Sequence, residues 1–211
     1  MQFGIVLVAA GASTRMGFDK LWTDLDGQPL LAQPLATARQ THPTEVVLVV
    51  AAERLAEAQA LAPDAQVVAG GARRRDSVAN GLAACHAEWV AVHDAARALA
   101  PARLFGDGLA AAQSSGAAVP VMPVVDTIKQ VVDGRVHGTL SRAAHVLVQT
   151  PQVFRRDLLL QALASSDQDV TDEATLVERL GIQVATFTGD ERAFKVTRPL
   201  DLVLARALLR G

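Results

Sequence analysis

The chain holds a single cysteine, Cys85, so no disulfide can close within it. A lone thiol among apolar neighbours reads as a small buried side chain rather than a nucleophile. Tyrosine is absent and aromatic residues make up only 4% of the sequence, which leaves few platforms for stacking bases. Charged residues amount to 20% and nearly cancel, for a net charge of −2. There is thus no bulk attraction for a polyanion, which argues against nucleic acid as a partner. No apolar run reaches the ~18 residues that suggest a membrane span. The apolar start, Met1–Ala10, lacks a basic n-region and runs into a glycine loop rather than a cleavage site. These absences predict a cytoplasmic protein without membrane association. Lysine is scarce: Lys20, Lys129 and Lys195 stand against seventeen arginines. Each remaining lysine is a candidate for a place that needs a compact ammonium rather than a planar fork.

What is present is apolar. Half of the 211 residues are hydrophobic, enough for a full core, and the length suits one domain spanning residues 1–211. Strands are expected at Phe3–Ala10, Glu45–Ala51, Gln66–Ala69, Glu88–His93 and Ala117–Pro123, as short β-branched runs buried on both faces. Helices are expected between them at Pro29–Gln40, Arg54–Leu61, Asp76–His86 and Pro101–Gln113. This alternation predicts a Rossmann-like, doubly wound α/β fold with a mostly parallel sheet and helices on both faces. Asp133-Gly134 between two extended runs is a hairpin signal and predicts a protruding β-arm at about 126–148. Beyond it, Val146–Phe154 reads as one strand and Ile182–Phe187 as another, with helices at Arg156–Ala164 and Thr171–Leu180. A closing helix, Pro199–Leu209, is expected to turn Leu200, Val203, Leu204, Ala207 and Leu208 inward.

Three segments carry chemistry. The first is Ala9-Ala10-Gly11-Ala12-Ser13-Thr14-Arg15-Met16-Gly17 with Asp19-Lys20, between the first strand and the first long helix. In an open parallel sheet ligands bind beyond the strand carboxyl ends. Small residues there let backbone N–H groups approach anionic oxygens, and Arg15 and Lys20 add full charge. The loop is neither a Walker sequence nor G-x-G-x-x-G; it is a phosphate loop with its cations inside it. The second is Gly70-Gly71-Ala72-Arg73-Arg74-Arg75-Asp76-Ser77, where the Gly71 backbone and the Ser77 hydroxyl are placed to read a base edge. At least one of the three arginines there reads as part of a solvated helix start. The third is Val92-His93-Asp94-Ala95-Ala96-Arg97, where Asp94 at a strand end suits a metal, through water, or a ribose. His93 reads as structural.

With Pro123–Lys129, Gln149–Phe154, Val170–Ala174 and Phe194–Leu202, these segments resemble, in order and over essentially the whole chain, the 2-C-methyl-D-erythritol 4-phosphate cytidylyltransferase family. The resemblance implies transfer of a cytidylyl group from CTP to a small polyol phosphate, with release of pyrophosphate, in non-mevalonate isoprenoid synthesis. It puts Ala9, Ala10, Gly11, Ala12 and Ser13 on the triphosphate, Gly71 and Ser77 on the cytosine, and Asp94 by the ribose. Arg15, Lys20 and Lys195 fall at the reacting phosphate, and Arg97, Thr127, Arg142, Thr150, Thr171 and Lys195 at the acceptor. It implies Mg²⁺ or another divalent cation, held mainly by the CTP phosphates and only indirectly by Asp94. It also implies a homodimer in which the β-arm carries Thr127 and Arg142 into the partner's site. The family usually has Pro-Lys where this chain has Asp19-Lys20, and Arg15–Lys20 is similar to the same stretch in molybdenum-cofactor nucleotidyltransferases. Ribitol 5-phosphate as acceptor, molybdopterin nucleotidyl transfer and a non-catalytic nucleotide-binding module are the competing readings; Arg15, Lys20 and Lys195 together speak against the last.

Overall fold

The computed structural model describes residues 3–11 and 19–210. In chain order its elements are β1 (Phe3–Ala9), β2 (Asp24–Leu25), β3 (Gln28–Pro29), α1 (Ala32–Gln40), β4 (Glu45–Val50), α2 (Leu55–Leu61), β5 (Gln66–Ala69), α3 (Arg74–Ala84), β6 (Trp89–Asp94) and α4 (Arg103–Ala112). They continue with β7 (Ala117–Pro123), β8 (Ile128–Val132), β9 (Arg135–Leu140), β10 (Val146–Val148), β11 (Gln152–Arg155), α5 (Arg156–Ser165), α6 (Ala174–Glu178), β12 (Ala185–Thr188) and α7 (Pro199–Arg210).

The main sheet has eight strands. β1 lies between β4 and β6, parallel to both, and β5 continues the parallel set beyond β4. On the other side β11 pairs antiparallel with β6 and with the start of β7, while β10 pairs with the end of β7 and β12 runs parallel to β7. The two-residue period of β1 sends Ile5, Leu7 and Ala9 into one core and Val6 into the other. The first core packs against α1, α2, α4 and α7, the second against α3, α5 and α6. The doubly wound architecture is therefore as the sequence predicts. Strand order reverses between β1 and β6, so their carboxyl ends flank the crevice where such sheets bind ligands.

Several expected boundaries shift for local reasons. The helix expected from Pro29 begins at Ala32, because Asp26 and Gly27 adopt φ of 59° and 88°. These values close a two-residue turn between β2 and β3. The single strand expected over Val146–Phe154 is two, β10 and β11. Pro151 has no N–H to continue a ladder, and the chain there changes partner from the end of β7 to β6. The helix expected over Thr171–Leu180 is only α6. In α7 the inward side is Leu202 and Ala205, whereas Leu200, Val203, Leu204, Ala207 and Leu208 are exposed. That helix carries apolar residues on two stripes, and periodicity alone does not choose between them. The arm is present as β8 and β9, joined through Asp133 and Gly134 at φ of 49° and 74°. Cys85 is fully buried, as a structural thiol should be.

α3 lies against β1 and β4 because Gly81 has no side chain: a Cβ there would sit 2.5 Å from Val6 Cγ1 and 2.7 Å from Val49 Cγ2. Gly81→Ala gains up to ~1 kcal/mol of helix propensity but overpacks two rigid valines. A net loss of about 1–2 kcal/mol is expected, read as a lower urea midpoint; an unchanged or higher midpoint would contradict this packing.

Candidate active site

The parallel strands bring three of the sequence segments to one edge. β1 ends at Ala9 and leads into Ala10 and Gly11. β5 ends at Ala69 and leads into Gly70 and Gly71; a Cβ on Gly70 would lie 2.3 Å from the Ala10 Cβ, so the two loops touch. β6 ends at Asp94, whose register partner on β1 is Val8. Ala12, Ser13 and Arg15 lie outside the described residues. Lys20 opens a 3-10 turn, Lys20–Trp22. Just before it, Asp19 pairs with Arg54 at 3.4 Å, and Arg54 lies over the Trp22 ring at 5.3 Å. The acidic residue at position 19 thus ties the Lys20 turn to the end of β4.

Asp94 is the centre of the cluster. Its Oδ2 accepts from Lys195 Nζ at 2.8 Å and its Oδ1 from Arg74 Nη2 at 3.1 Å. Burial would raise its carboxyl, but the Arg74 and Lys195 charges hold it well below the usual carboxylate range. Arg74 reaches in turn to Glu173 Oε1 at 2.5 Å. Glu173 is fully buried, and burial pushes its carboxyl up against the pull of Arg74. Arg97, three residues past Asp94, donates to the Ala193 carbonyl at 2.7 Å; burial lowers its guanidinium. Three cations, Arg74, Lys195 and Arg97, act on the Asp94 carboxylate, a local excess of positive charge that suits an anionic ligand.

Lys195 comes from the far end of the chain and is delivered by fixed contacts. Gln149 acts as a side-chain strand, donating from Nε2 to the Asp190 carbonyl at 2.9 Å and accepting from Asp190 N–H at 3.0 Å. Val196 N–H donates to the Ala96 carbonyl at 2.8 Å. Ser77 is buried, and its Oγ accepts from Gly71 N–H at 3.1 Å and donates to the Arg73 carbonyl at 3.2 Å. Thr150 is buried too; its Oγ1 accepts from Asp94 N–H at 3.0 Å and shares a 3.0 Å hydrogen bond with His93 Nδ1. Thr171 is exposed, two residues before Glu173.

Thr127 and Arg142 stand apart. Both lie at the open end of the arm, where Arg142 donates to the Val125 carbonyl. Among the described residues, no hydrogen bond or ion pair links either to the Asp94 cluster. Lys129 is also on the arm, bonded to Thr139 at 2.6 Å. Sequence reasoning missed Arg74 and Glu173. The run Arg73–Arg75 suggests a solvated helix start, yet Arg75 is buried and Arg74 is the link between two carboxylates. A carboxylate beside Thr171 was the available signal for Glu173.

Comparison with known proteins agrees with this geometry. A family model described as 2-C-methyl-D-erythritol 4-phosphate cytidylyltransferase matches residues 3–211. A Frankia casuarinae protein of that name is 46% identical over 97% of this chain and 80% of its own length. One from Rhodococcus jostii is also 46% identical, over 95% of this chain and 92% of its own. The crystal structure of the Thermus thermophilus protein of that name superposes with a TM-score of 0.85 at 38% identity, covering 98% of both chains.

His93 behind Asp94 is buried, which lowers its imidazole to about 4. Above the ordinary value of ~6.5 both folded and unfolded chains carry a neutral ring. Between there and about 4 only the unfolded chain takes up the proton. Stability is therefore expected to fall as pH drops through that window, by about 3 kcal/mol from this residue. In urea titrations from pH 7 to 4, His93→Gln should flatten the slope; an identical slope in both proteins would remove His93 as the cause.

Proposed function

The chain belongs to the 2-C-methyl-D-erythritol 4-phosphate cytidylyltransferase family, and we propose that it moves the cytidylyl group of CTP onto 2-C-methyl-D-erythritol 4-phosphate, releasing pyrophosphate. The observation that carries this reading is the meeting of Lys195 with Asp94, at 2.8 Å, on the sheet edge where the Ala9–Gly11 loop begins. In this reading residues 1–211 act as one nucleotidyltransferase domain in the cytoplasm; among the described residues no helix is long and apolar enough to cross a membrane.

The reaction is an in-line displacement. An acceptor phosphate oxygen forms a bond to the α-phosphorus of CTP, and the bond from that phosphorus to the bridging oxygen breaks as pyrophosphate leaves. A phosphate monoester is already nucleophilic near neutral pH, so the work is to hold two anions together and offset developing charge. The reading assigns Ala9–Ser13 to the triphosphate, Arg15 and Lys20 to its α-phosphate, and Lys195 to the junction of the two substrates. Gly71 and Ser77 form the wall beside the cytosine: the mutual hydrogen bond at 3.1 Å fixes its shape. Asp94 and Arg97 border the ribose and the acceptor, Thr150 sets the backbone of Asp94, and Thr171 lies on the acceptor side.

A divalent cation such as Mg²⁺ fits these residues only as a partner of the nucleotide. Among the described residues no three carboxylate, histidine or cysteine side chains converge to hold a metal. Asp94 offers one carboxylate, which matches a Mg²⁺ bound through substrate phosphates and water. When bound, it supplies neutralisation of the triphosphate charge.

The stretch from β7 through the arm to β10 exposes Val125, Val131, Val136, Val146 and Leu147, and exposed apolar side chains gathered along one segment suit a contact with another protein surface. Among the described residues Thr127 and Arg142 make no hydrogen bond or ion pair to their own Asp94 cluster, and together with this surface that supports a homodimer in which each arm completes the partner's site.

Two outcomes test the reading. Pyrophosphate release from CTP and Mg²⁺ should require methylerythritol phosphate and proceed poorly with ribitol phosphate; Lys195→Ala should lower kcat by ~10²–10³ while leaving the fold intact. Turnover by folded Lys195→Ala close to that of the unaltered protein would sink the assignment. For arm exchange, mixing equal amounts of inactive Lys20→Ala and Arg142→Ala proteins should recover about a quarter of full activity, because half the dimers are mixed and each has one intact site. No recovery, with subunit exchange verified, would refute a shared site.

A further inference from the structure

The first turn of α3 reaches the connection between α5 and α6 through three arginines in succession. Arg73 donates to the Asp167 carbonyl at 2.9 Å and to its Oδ1 at 2.8 Å. Arg75 donates to the carbonyls of Leu163 at 3.0 Å, Gln168 at 3.3 Å and Ser166, capping the open end of α5. Arg74 differs from both: one edge of its guanidinium holds Glu173 and the other holds Asp94. Among the described residues the Glu173 side chain has only this one partner, for its Oε2 is buried without a hydrogen bond there. A buried carboxylate is tolerable only when it is paired, so the position of Glu173 is tied to that of Arg74.

The chain around the two residues gives the pair its meaning. Arg74 stands between Gly71 and Ser77, on the cytosine side of the cleft. Glu173 follows Thr171 by two residues, on the acceptor side. No other ion pair among the described residues joins these two walls through the Asp94 carboxylate. We propose that Arg74 and Glu173 are positioning residues that fix the acceptor wall, and Thr171 with it, against the nucleotide wall and Asp94. This rests on the reaction proposed above, which assigns Thr171 to the acceptor. Neither residue touches a reacting atom; Arg74 acts by orienting Asp94 and Glu173 by anchoring the turn that precedes α6. Arginine suits position 74 because its planar fork aims separate donors at the two carboxylates in fixed directions, whereas the donors of an ammonium rotate on a flexible stem.

The test compares Glu173→Ala, Glu173→Gln and Arg74→Lys with the unaltered protein, each checked for folding by circular dichroism. Glu173→Gln keeps an oxygen that accepts from Arg74, and Glu173→Ala does not. Glu173→Ala should raise KM for methylerythritol phosphate about tenfold, with KM for CTP changed less than about twofold, and Glu173→Gln should recover most of that loss. A purely architectural pair would lower stability without separating the two KM values, and that result, or unchanged KM values, overturns the proposal. Hydrogen exchange gives an arm independent of turnover. The amides of residues 169–174 should exchange faster in folded Arg74→Lys than in the unaltered protein, and equal exchange overturns the anchor. Should the unaltered protein release no pyrophosphate with any acceptor, the assigned reaction fails, and hydrogen exchange alone decides whether the anchor exists.

Discussion

A buried carboxylate held between two cations organises this molecule's ligand edge. Asp94 would be costly at the end of a central strand without partners, and its partners come from distant parts of the chain. Arg74 arrives from the first turn of α3 and Lys195 from the segment before α7. Satisfying one charge therefore fixes where three elements meet. The same constraint explains why Thr150 and His93 are buried behind it: the Thr150 hydroxyl takes the Asp94 N–H, and the two side chains satisfy each other.

The sheet supplies the platform for that arrangement. Because β1, β4, β5 and β6 are all parallel, their loops emerge on one side, and small residues let them approach. Gly70 against Ala10 and Gly71 against Asp76 leave no room for a Cβ at either glycine. In the proposed reaction these two neighbouring loops are the ones assigned to the triphosphate and the base, while Lys195 comes from the far end of the chain. Displacement at phosphorus needs little else from a protein than such prearranged charge.

The arm serves a different purpose. Among the described residues its strands pair only with each other and are mostly exposed, so an isolated chain has no evident reason to keep its valines outside. The homodimer proposed above would cover this apolar surface and bring Thr127 and Arg142 to a second copy's Asp94.

Much of this was legible in the sequence. Continuous β-branched runs at Phe3–Ala10 and Glu45–Ala51, alternating with helical segments, dictate a buried parallel sheet, since only covered faces tolerate such runs. Asp133-Gly134 fixes the hairpin tip, because both residues must take positive φ. The same signal at Asp26-Gly27 marks a second turn that helix periodicity overshadowed. The resemblance in seven ordered segments points to the cytidylyltransferase family. What the sequence by itself determined was the local conformations, the sheet class and the residue types gathered for phosphate chemistry. Only the tertiary structure decided which stripe of α7 faces inward, and that Arg74 spans Asp94 and Glu173. The Arg74 contacts span 20 and 99 positions of sequence and the α7 contact with β2 spans 182, and burial and ion pairing act on spatial neighbours, not sequential ones.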